Sequence, residues 1–424
     1  MGSLVRDGVV SPIELVDAHL VQIARCNPQI NAFVKVFDEA AREEARELER
    51  RERHGLLYGV PLTVKDSFDV AGHATRCGSP GRPQRPAARD AAAVARLRAA
   101  GAVILGRTNT SELLRDYECA NPITGRTNNP WNLERTPGGS SGGEAAAIAA
   151  CCSAGGIGSD GGGSIRIPAH FCGIAGLKPT PGRVPGTGHF PELGYPVGMV
   201  TTVGPMGRTV EDLRLLFSVL AAYDPEDPFS VPVPLRAPRL GAYPIAVWER
   251  FYDVPVHEEV AQALSRATAM LEAQSFKLEC FDPQGFERAP NLWAFLFAQW
   301  SGTPEAFTAA EVLDRLAERD RMRAAFLRAI EGVAAVAMPV CGVAAFRHGQ
   351  RRYAAGDREI GAFQMAMPAL VANVFGLPAL TVPIGLSGEG LPVGVQLMGR
   401  PFEDELLLEI GIRLEEARGP WTGP

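Results

Sequence analysis

None of the eight cysteines in this 424-residue sequence forms a CxxC pair or a zinc-type spacing. They stand at 26, 77, 119, 151, 152, 172, 280 and 341, which argues against a disulfide framework and a structural metal. Reduced thiols in a cytoplasmic compartment are the simple expectation. A basic excess is missing too: 42 Lys and Arg face 48 Asp and Glu, a net charge of −6, so no nucleic-acid partner is expected. The Arg-rich stretch 42–53 is interleaved with Glu and reads as a solvated helix face. No run approaches eighteen uninterrupted apolar residues and the N-terminus lacks a basic-then-apolar leader, so no membrane span is expected. Neither glycine cluster closes on Gly-Lys-Ser/Thr, which rules out a P-loop, and no internal repeat or low-complexity tail is present.

What is present is the composition of an ordinary globular protein, 46% hydrophobic and 21% charged, at a length that fits two domains or one large α/β unit. Ser11-Pro12-Ile13-Glu14 is a capping box with Pro at N1, followed by Leu15, Val16, Leu20 and Ile23, which predicts a helix over about 11–26. Residues 31–37 alternate like a strand, and the Glu/Arg-rich segment after them predicts a second helix ending near His54-Gly55. The short apolar run 59–64 stops at Lys65-Asp66, placing a lysine at a strand end. Asp90 is expected to cap a helix closing at Gly101, and 102–105 is an apolar run of the buried-strand kind. Helix followed by buried strand points to a wound α/β sheet. Prolines at 225, 228, 232, 234 and 238 make 224–238 a surface linker or insertion boundary. Beyond it strand (240–247), helix (256–274) and strand (276–281) are expected. A helical stretch over 285–330 follows, with Trp293, Phe295, Phe297 and Trp300, an aromatic group that reads first as core. Two buried strands (379–383, 393–398) around a Gly388-Glu389-Gly390 turn and a helix over 404–416 complete the pattern.

Three motifs overlap between Thr136 and Ala169. A dinucleotide reading of Gly156-Ile-Gly-Ser-Asp-Gly161 needs a helix opening at its last glycine, but Ile165-Arg-Ile-Pro168 cannot supply a long one. A G-x-S-x-G elbow at Gly138 to Gly142, the α/β-hydrolase Ser-His-Asp alternative, needs an apolar strand before it; the polar stretch 128–137 stands there instead. None of the seven histidines, His170 near Ser164 included, lies in a motif. The third possibility joins both glycine-serine clusters in one site, with backbone N–H groups of Gly161, Gly162, Gly163 and Ser164 forming a nest for an oxyanion. A serine nucleophile without a histidine needs another base, and a neutral lysine serves. Lys65 qualifies by its place at the end of an apolar run; lowering a lysine pKa to ~7–8 by burial costs roughly 3–5 kcal/mol. A second serine between them would relay the proton.

Gly138-Gly-Ser-Ser-Gly-Gly143, Gly158-Ser-Asp-Gly-Gly-Gly-Ser-Ile-Arg-Ile-Pro168 and Gly173-Ile-Ala-Gly-Leu-Lys-Pro179 together resemble the amidase signature family. Gly59-Val-Pro-Leu-Thr-Val-Lys-Asp66, Gly204-Pro-Met-Gly-Arg-Thr-Val-Glu-Asp212, Gly376-Leu-Pro-Ala379 and Gly390-Leu-Pro-Val-Gly394 extend the likeness to most of the chain outside about 225–365. The resemblance implies one α/β domain over 1–424, with a mixed, mostly parallel twisted sheet covered by helices on both faces. Its conserved-type core would be about 55–223 and 366–416, and 225–365 the segment that selects substrate. It implies a serine hydrolase with Ser164 as nucleophile, Ser140 as bridging serine on a cis peptide and Lys65 as general base, needing no metal or organic cofactor. Ser141, Asp160 and Arg166 are expected as supporting residues, the last two as an internal ion pair. The family's usual threonine is Gly161 here, which implies a widened oxyanion loop.

A small-molecule amide or carbamate is the expected partner, with a homodimer as an open alternative. The first function expected is a stand-alone amidase of small or aryl amides, since the residues of a tRNA-dependent amidotransferase glutamine site are not seen. Carbamate (urethane) or ester hydrolysis by the same triad is the second, and a catalytically idle binding subunit the alternative from another class. Cys151 and Cys152 are expected as small core fillers.

Overall fold

The computed structural model describes residues 1–424 apart from 53, 242, 302–306 and 421–422 and the side chains of 298–301, among them Trp300. Among the described residues eleven strands form one sheet. In chain order these are β1 (Phe33–Val36), β2 (Pro61–Lys65), β3 (Val103–Thr108), β4 (Gly155–Asp160), β5 (Ala175–Lys178) and β6 (Thr202–Gly207). They are followed by β7 (Ile245–Val247), β8 (Leu278–Cys280), β9 (Ala335–Pro339), β10 (Ala379–Leu386) and β11 (Pro392–Met398). Across the sheet the order is β1-β3-β2-β4-β6-β5-β10-β11-β9-β7-β8.

The sheet is mixed, as expected, and its parallel pairs are gathered at two flanks, β3–β2–β4 and β9–β7–β8. The other pairs, all of those through the centre among them, are antiparallel. For β10–β11 connection length is the reason: the link is a turn of five residues, too short for the crossover a parallel pair requires.

Side chains alternate along the buried strands, which gives the sheet two apolar faces. Ile104, Leu380 and Leu397 pack with the helices Ala92–Ala99, Val210–Leu220, Glu258–Ala273 and Asp404–Arg418. Val103 and Leu105 point the other way, against Pro12–Ile30 and Gly142–Ala149. Ala379 and Met398 do the same beneath Ala289–Ser301, Ala309–Ala329 and Ala362–Val374. Residues 245–339 supply β7, β8 and β9 to this sheet, so the irregular stretch before them inserts chain into one fold instead of separating two.

A short helix, Gly2–Arg6, precedes the one expected first; the expected helix, Pro12–Ile30, carries its capping box, Ser11 Oγ accepting from the Glu14 N–H at 3.2 Å and Glu14 Oε2 from the Ser11 N–H at 2.8 Å. It runs on to Ile30, past the expected end near 26, and stops at a left-handed Asn31. Asp90 does not cap its helix; it accepts from the Ala71 N–H at 2.7 Å and pairs with Arg98. Cys152 is a buried filler as expected, whereas Cys151 is exposed with φ +56°. Among the described residues no helix is long and apolar enough to cross a membrane.

The helix Gly142–Ala149 is buried along its whole length and presses Glu144 against β2, β3 and β4. A Cβ on Gly156 of β4 would land on Glu144 Oε1 and on the Thr63 carbonyl oxygen, so only glycine fits there. Gly156→Ala is expected to destabilise by about 3 kcal/mol or more, as overpacking does when backbone must move. Gly72→Ala, with nothing within 4 Å of the new methyl, is expected to lose only about 1 kcal/mol through its φ of +80°. Thermal melts of both variants check the contrast.

Candidate active site

All five residues of β2 are buried, so the chain carries Lys65 into the interior at the strand's end. Parallel pairing with β4, Thr63 opposite Gly156 and Val64 opposite Ile157, sets Lys65 beside Ser159. Lys65 Nζ lies 3.1 Å from Ser159 Oγ and 2.7 Å from Ser140 Oγ. Ser140 follows a cis Gly139–Ser140 peptide, as the resemblance implied, and its carbonyl accepts from Thr110 Oγ1 at 2.8 Å. Lys65 is fully buried, and among the described residues it forms no ion pair with a carboxylate. Burial therefore lowers its pKa to about 7, against weaker opposing pulls that include Asp160 and Glu144.

β4 ends at Asp160, and the chain turns through 161–164 into the helix Arg166–Cys172. The buried Asp160 carboxylate organises that turn. It accepts from the N–H groups of Gly163 at 2.8 Å and Ile165 at 3.2 Å, and from Arg166 Nε and Nη2, each at 2.9 Å. Burial alone would raise its pKa; the Arg166 pair and Asn373 overcome that and hold it well below the usual carboxylate range. The expected Asp160–Arg166 ion pair is thus in place, extended by Arg166 to Asn373 and Gln396.

One expectation changes here. Gly163, at φ +98°, spends its N–H on Asp160, so it shapes the turn and has no donor left for a substrate. The N–H groups of Gly161, Gly162 and Ser164 have no acceptor among the described residues. Two aromatic side chains orient these peptides. Trp293 Nε1 donates to the Gly161 carbonyl at 2.5 Å, and Tyr117 Oη to the Gly162 carbonyl at 2.8 Å. In a trans peptide C=O and the following N–H point opposite ways, so Trp293 sets the direction of the Gly162 N–H and Tyr117 that of Gly163.

Ser164 is half-buried, and its carbonyl accepts from the Ser141 N–H at 3.2 Å, which ties the two glycine-serine segments together. Ser141 Oγ also reaches the Ser159 carbonyl at 3.4 Å, so Ser141 braces its neighbours. Ser140, Ser159, Gly161, Gly162 and Ser164 line one cleft with about 540 Å³ of empty space. Trp293 and Phe297, their rings stacked at 4.8 Å, form part of its wall, so this pair belongs to the cleft as well as to the core. Thr201 occupies the space that Gly161 leaves, so the loop is not widened there.

Neither of the two buried histidines close to this site is suited to be the base. His170 uses both ring nitrogens, one on the Val343 carbonyl at 3.1 Å and one on the Gly394 N–H at 2.9 Å. His189, which pattern did not single out, lines the cleft and donates from Nδ1 to the Pro191 carbonyl at 2.8 Å. Burial pushes the two down to about 4 and about 3. Ser159, Tyr117 and Thr201 also escaped the sequence; only Ser159 carried a signal, its place beside the nest.

Holding Lys65 at a pKa of about 7 when the unfolded value is near 10.4 costs the folded state roughly 5 kcal/mol at and below pH 7. The folded chain binds fewer protons between these values, so that cost fades as pH rises from about 7 towards 10. Lys65→Met is therefore expected to gain thermal stability relative to wild type at pH 6 and to lose that advantage by pH 9.5. Melting curves at both pH values check it; a difference independent of pH would mean the lysine is not depressed.

The amidase family model matches residues 14–303 and 291–408. A glutamyl-tRNA(Gln) amidotransferase subunit of Roseiflexus castenholzii is 34% identical, with 95% of this chain and 92% of that protein covered. Indoleacetamide hydrolase of Bradyrhizobium diazoefficiens is 32% identical, with 98% and 85% covered. Among solved structures, 6-aminohexanoate cyclic dimer hydrolase complexed with substrate superposes with a TM-score of 0.88 at 29% identity, covering 99% of this chain and 96% of that one. A bacterial aryl acylamidase of the amidase signature enzymes superposes at 0.86 with 26% identity, covering 99% and 95%. Likeness of this extent in sequence and in fold places the chain in the amidase signature family.

Proposed function

We propose that this chain is a stand-alone serine hydrolase that cleaves the C–N bond of small or aryl amides through an acyl-enzyme on Ser164. The observation that carries the proposal is the buried Lys65, with its pKa near 7, 2.7 Å from Ser140 in the cleft that also holds Ser164. A neutral amine at that distance accepts a proton from the Ser140 hydroxyl, which in turn takes one from Ser164 as Ser164 attacks the carbonyl. The developing oxyanion meets the N–H groups of Gly161, Gly162 and Ser164, in a turn that Asp160 and Trp293 hold. The relayed proton then passes to the leaving nitrogen, and water activated through the same pair releases the acid.

The cleft's Tyr117, Trp293 and Phe297 walls suit a flat, largely apolar acyl or amine group. The relatives named for indoleacetamide and aryl acylamides support that choice. A second reading rests on the 34% identity to the amidotransferase protein, in which the chain would work with partner subunits. Carbamates and esters present the same carbonyl to the same donors.

An assay of the purified chain alone on aryl amides, nitroanilides, carbamates and esters separates these readings. Turnover of aryl amides without any added protein is expected. Ser164→Ala should lower kcat by about 10⁴-fold or more and Lys65→Ala by about 10³-fold, as removal of a nucleophile or its base does. Because the base works neutral, kcat/KM should rise with pH through about 7 and then level off. Turnover that survives Ser164→Ala would remove the nucleophile assignment. A requirement for a second protein would favour the amidotransferase reading.

A further inference from the structure

Gly161 has no side chain, and the space where one would begin is filled from a neighbouring strand. β6 runs antiparallel to β4 with Asp160 opposite Thr202, so the next residues along, Gly161 and Thr201, also lie side by side. A Cβ built on Gly161 would stand 2.7 Å from Thr201 Oγ1. Thr201 is fixed by its own N–H on the Val197 carbonyl at 2.9 Å, and it lines the cleft, half-buried. Its hydroxyl has no hydrogen-bond partner among the described residues. A hydroxyl thus stands at the cleft wall against the segment whose Gly161 and Gly162 N–H groups are also unpartnered.

We propose that Thr201 is a substrate-contacting residue whose hydroxyl donates a hydrogen bond to the substrate carbonyl oxygen as that oxygen becomes an oxyanion. This rests on the serine-hydrolase reading above. The hydroxyl rotates freely, so it can follow an oxygen whose charge and position change during attack. A donor of this kind gains strength as charge develops and therefore lowers the barrier more than it tightens ground-state binding. The threonine also keeps the cleft narrow where Gly161 would have opened it, so one side chain provides both a donor and a wall.

The test uses a small aryl fluorophosphonate, which needs no knowledge of the natural substrate. Ser164 Oγ forms a bond to phosphorus, the P–F bond breaks, fluoride leaves, the serine proton passes through Ser140 to Lys65, and the phosphoryl oxygen takes the oxyanion position. Thr201→Val keeps the shape and removes the donor; about 10- to 100-fold slower maximal labelling is expected, with the half-saturating probe concentration within about 3-fold. Thr201→Ser should stay within about 3-fold of wild type. Should the valine variant not fold, Thr201→Ala against Thr201→Ser carries the same comparison. Gly161→Thr alone should label slowly because of the clash with Thr201, and combining it with Thr201→Gly should recover about tenfold or more by returning a hydroxyl from position 161.

Thr201→Val labelling at the wild-type rate would overturn the proposal, as would a serine variant as slow as the valine one. A change confined to half-saturation would reduce Thr201 to a wall residue. Folded wild type that takes no label at Ser164 would overturn the serine-hydrolase reading itself, and Thr201's role with it.

Discussion

The site depends on a lysine denied a carboxylate. Lys65 is sealed at the end of a fully buried strand, among serine hydroxyls and without an ion-pair partner among the described residues. A close carboxylate would restore the ammonium and with it remove the base proposed above, since an opposite charge favours the charged form of its neighbour. The two acids whose charge pulls on Lys65, Asp160 and Glu144, are handled differently. Asp160 is fully engaged by Arg166 and three backbone N–H groups. Glu144, pushed up to about 7 by burial, is held by the hydroxyls of Thr63 at 2.5 Å and Thr108 at 2.6 Å. Each is occupied by its own partners, and the lysine stays weakly basic.

The Asp160–Arg166 pair does for geometry what burial does for Lys65. A buried ion pair adds little stability on its own, because desolvation offsets the attraction unless the remaining donors and acceptors are also satisfied. Here they are: Arg166 reaches Asn373, Gln396 and the Ala369 carbonyl, and Asn373 returns a hydrogen bond to Asp160 at 2.9 Å. The network ties β4, the turn at 161–164, the helix Ala362–Val374 and β11 into one unit. Under the proposed mechanism that framework would keep the N–H groups of Gly161, Gly162 and Ser164 directed at the developing oxyanion, where preorganised donors stabilise a transition state.

Lys65 stands out in the sequence as a lysine ending an apolar run and Ser140 and Ser164 as serines framed by glycines, but the roles proposed for them came with the family resemblance and not from these local patterns. The capping box of the helix Pro12–Ile30 and the buried strands near the C-terminus were legible from local pattern. The antiparallel centre of the sheet was not, because it follows from which strands become neighbours in space. Nor was the division of labour among Gly161, Gly162 and Gly163. Three identical residues in a row differ only in backbone direction, which Asp160, Tyr117 and Trp293 set from 3, 45 and 132 positions away. Thr201, His189 and Trp293 lie in stretches that read as core or loop, and only the folded chain places them on one cleft.

Trp293 joins the two functions that a hydrolase of small molecules must combine. It comes from the segment after residue 225, outside the part of the sequence that carries the family motifs, yet its indole N–H holds the Gly161 carbonyl and so aims the Gly162 N–H. The same ring stacks on Phe297 and forms the wall against which a substrate's flat group would lie. If the proposed function holds, one side chain would touch both the substrate's apolar end and the peptide that carries the Gly162 N–H, and so would couple binding to rate. On that reading, a change at Trp293 would act on the fit of the substrate and on the Gly162 N–H together. A substrate that seats well against Trp293 leaves the peptide where the structure holds it; one that displaces the ring would lose alignment at the reacting carbonyl, where an error of about 1 Å is enough to slow catalysis a hundredfold.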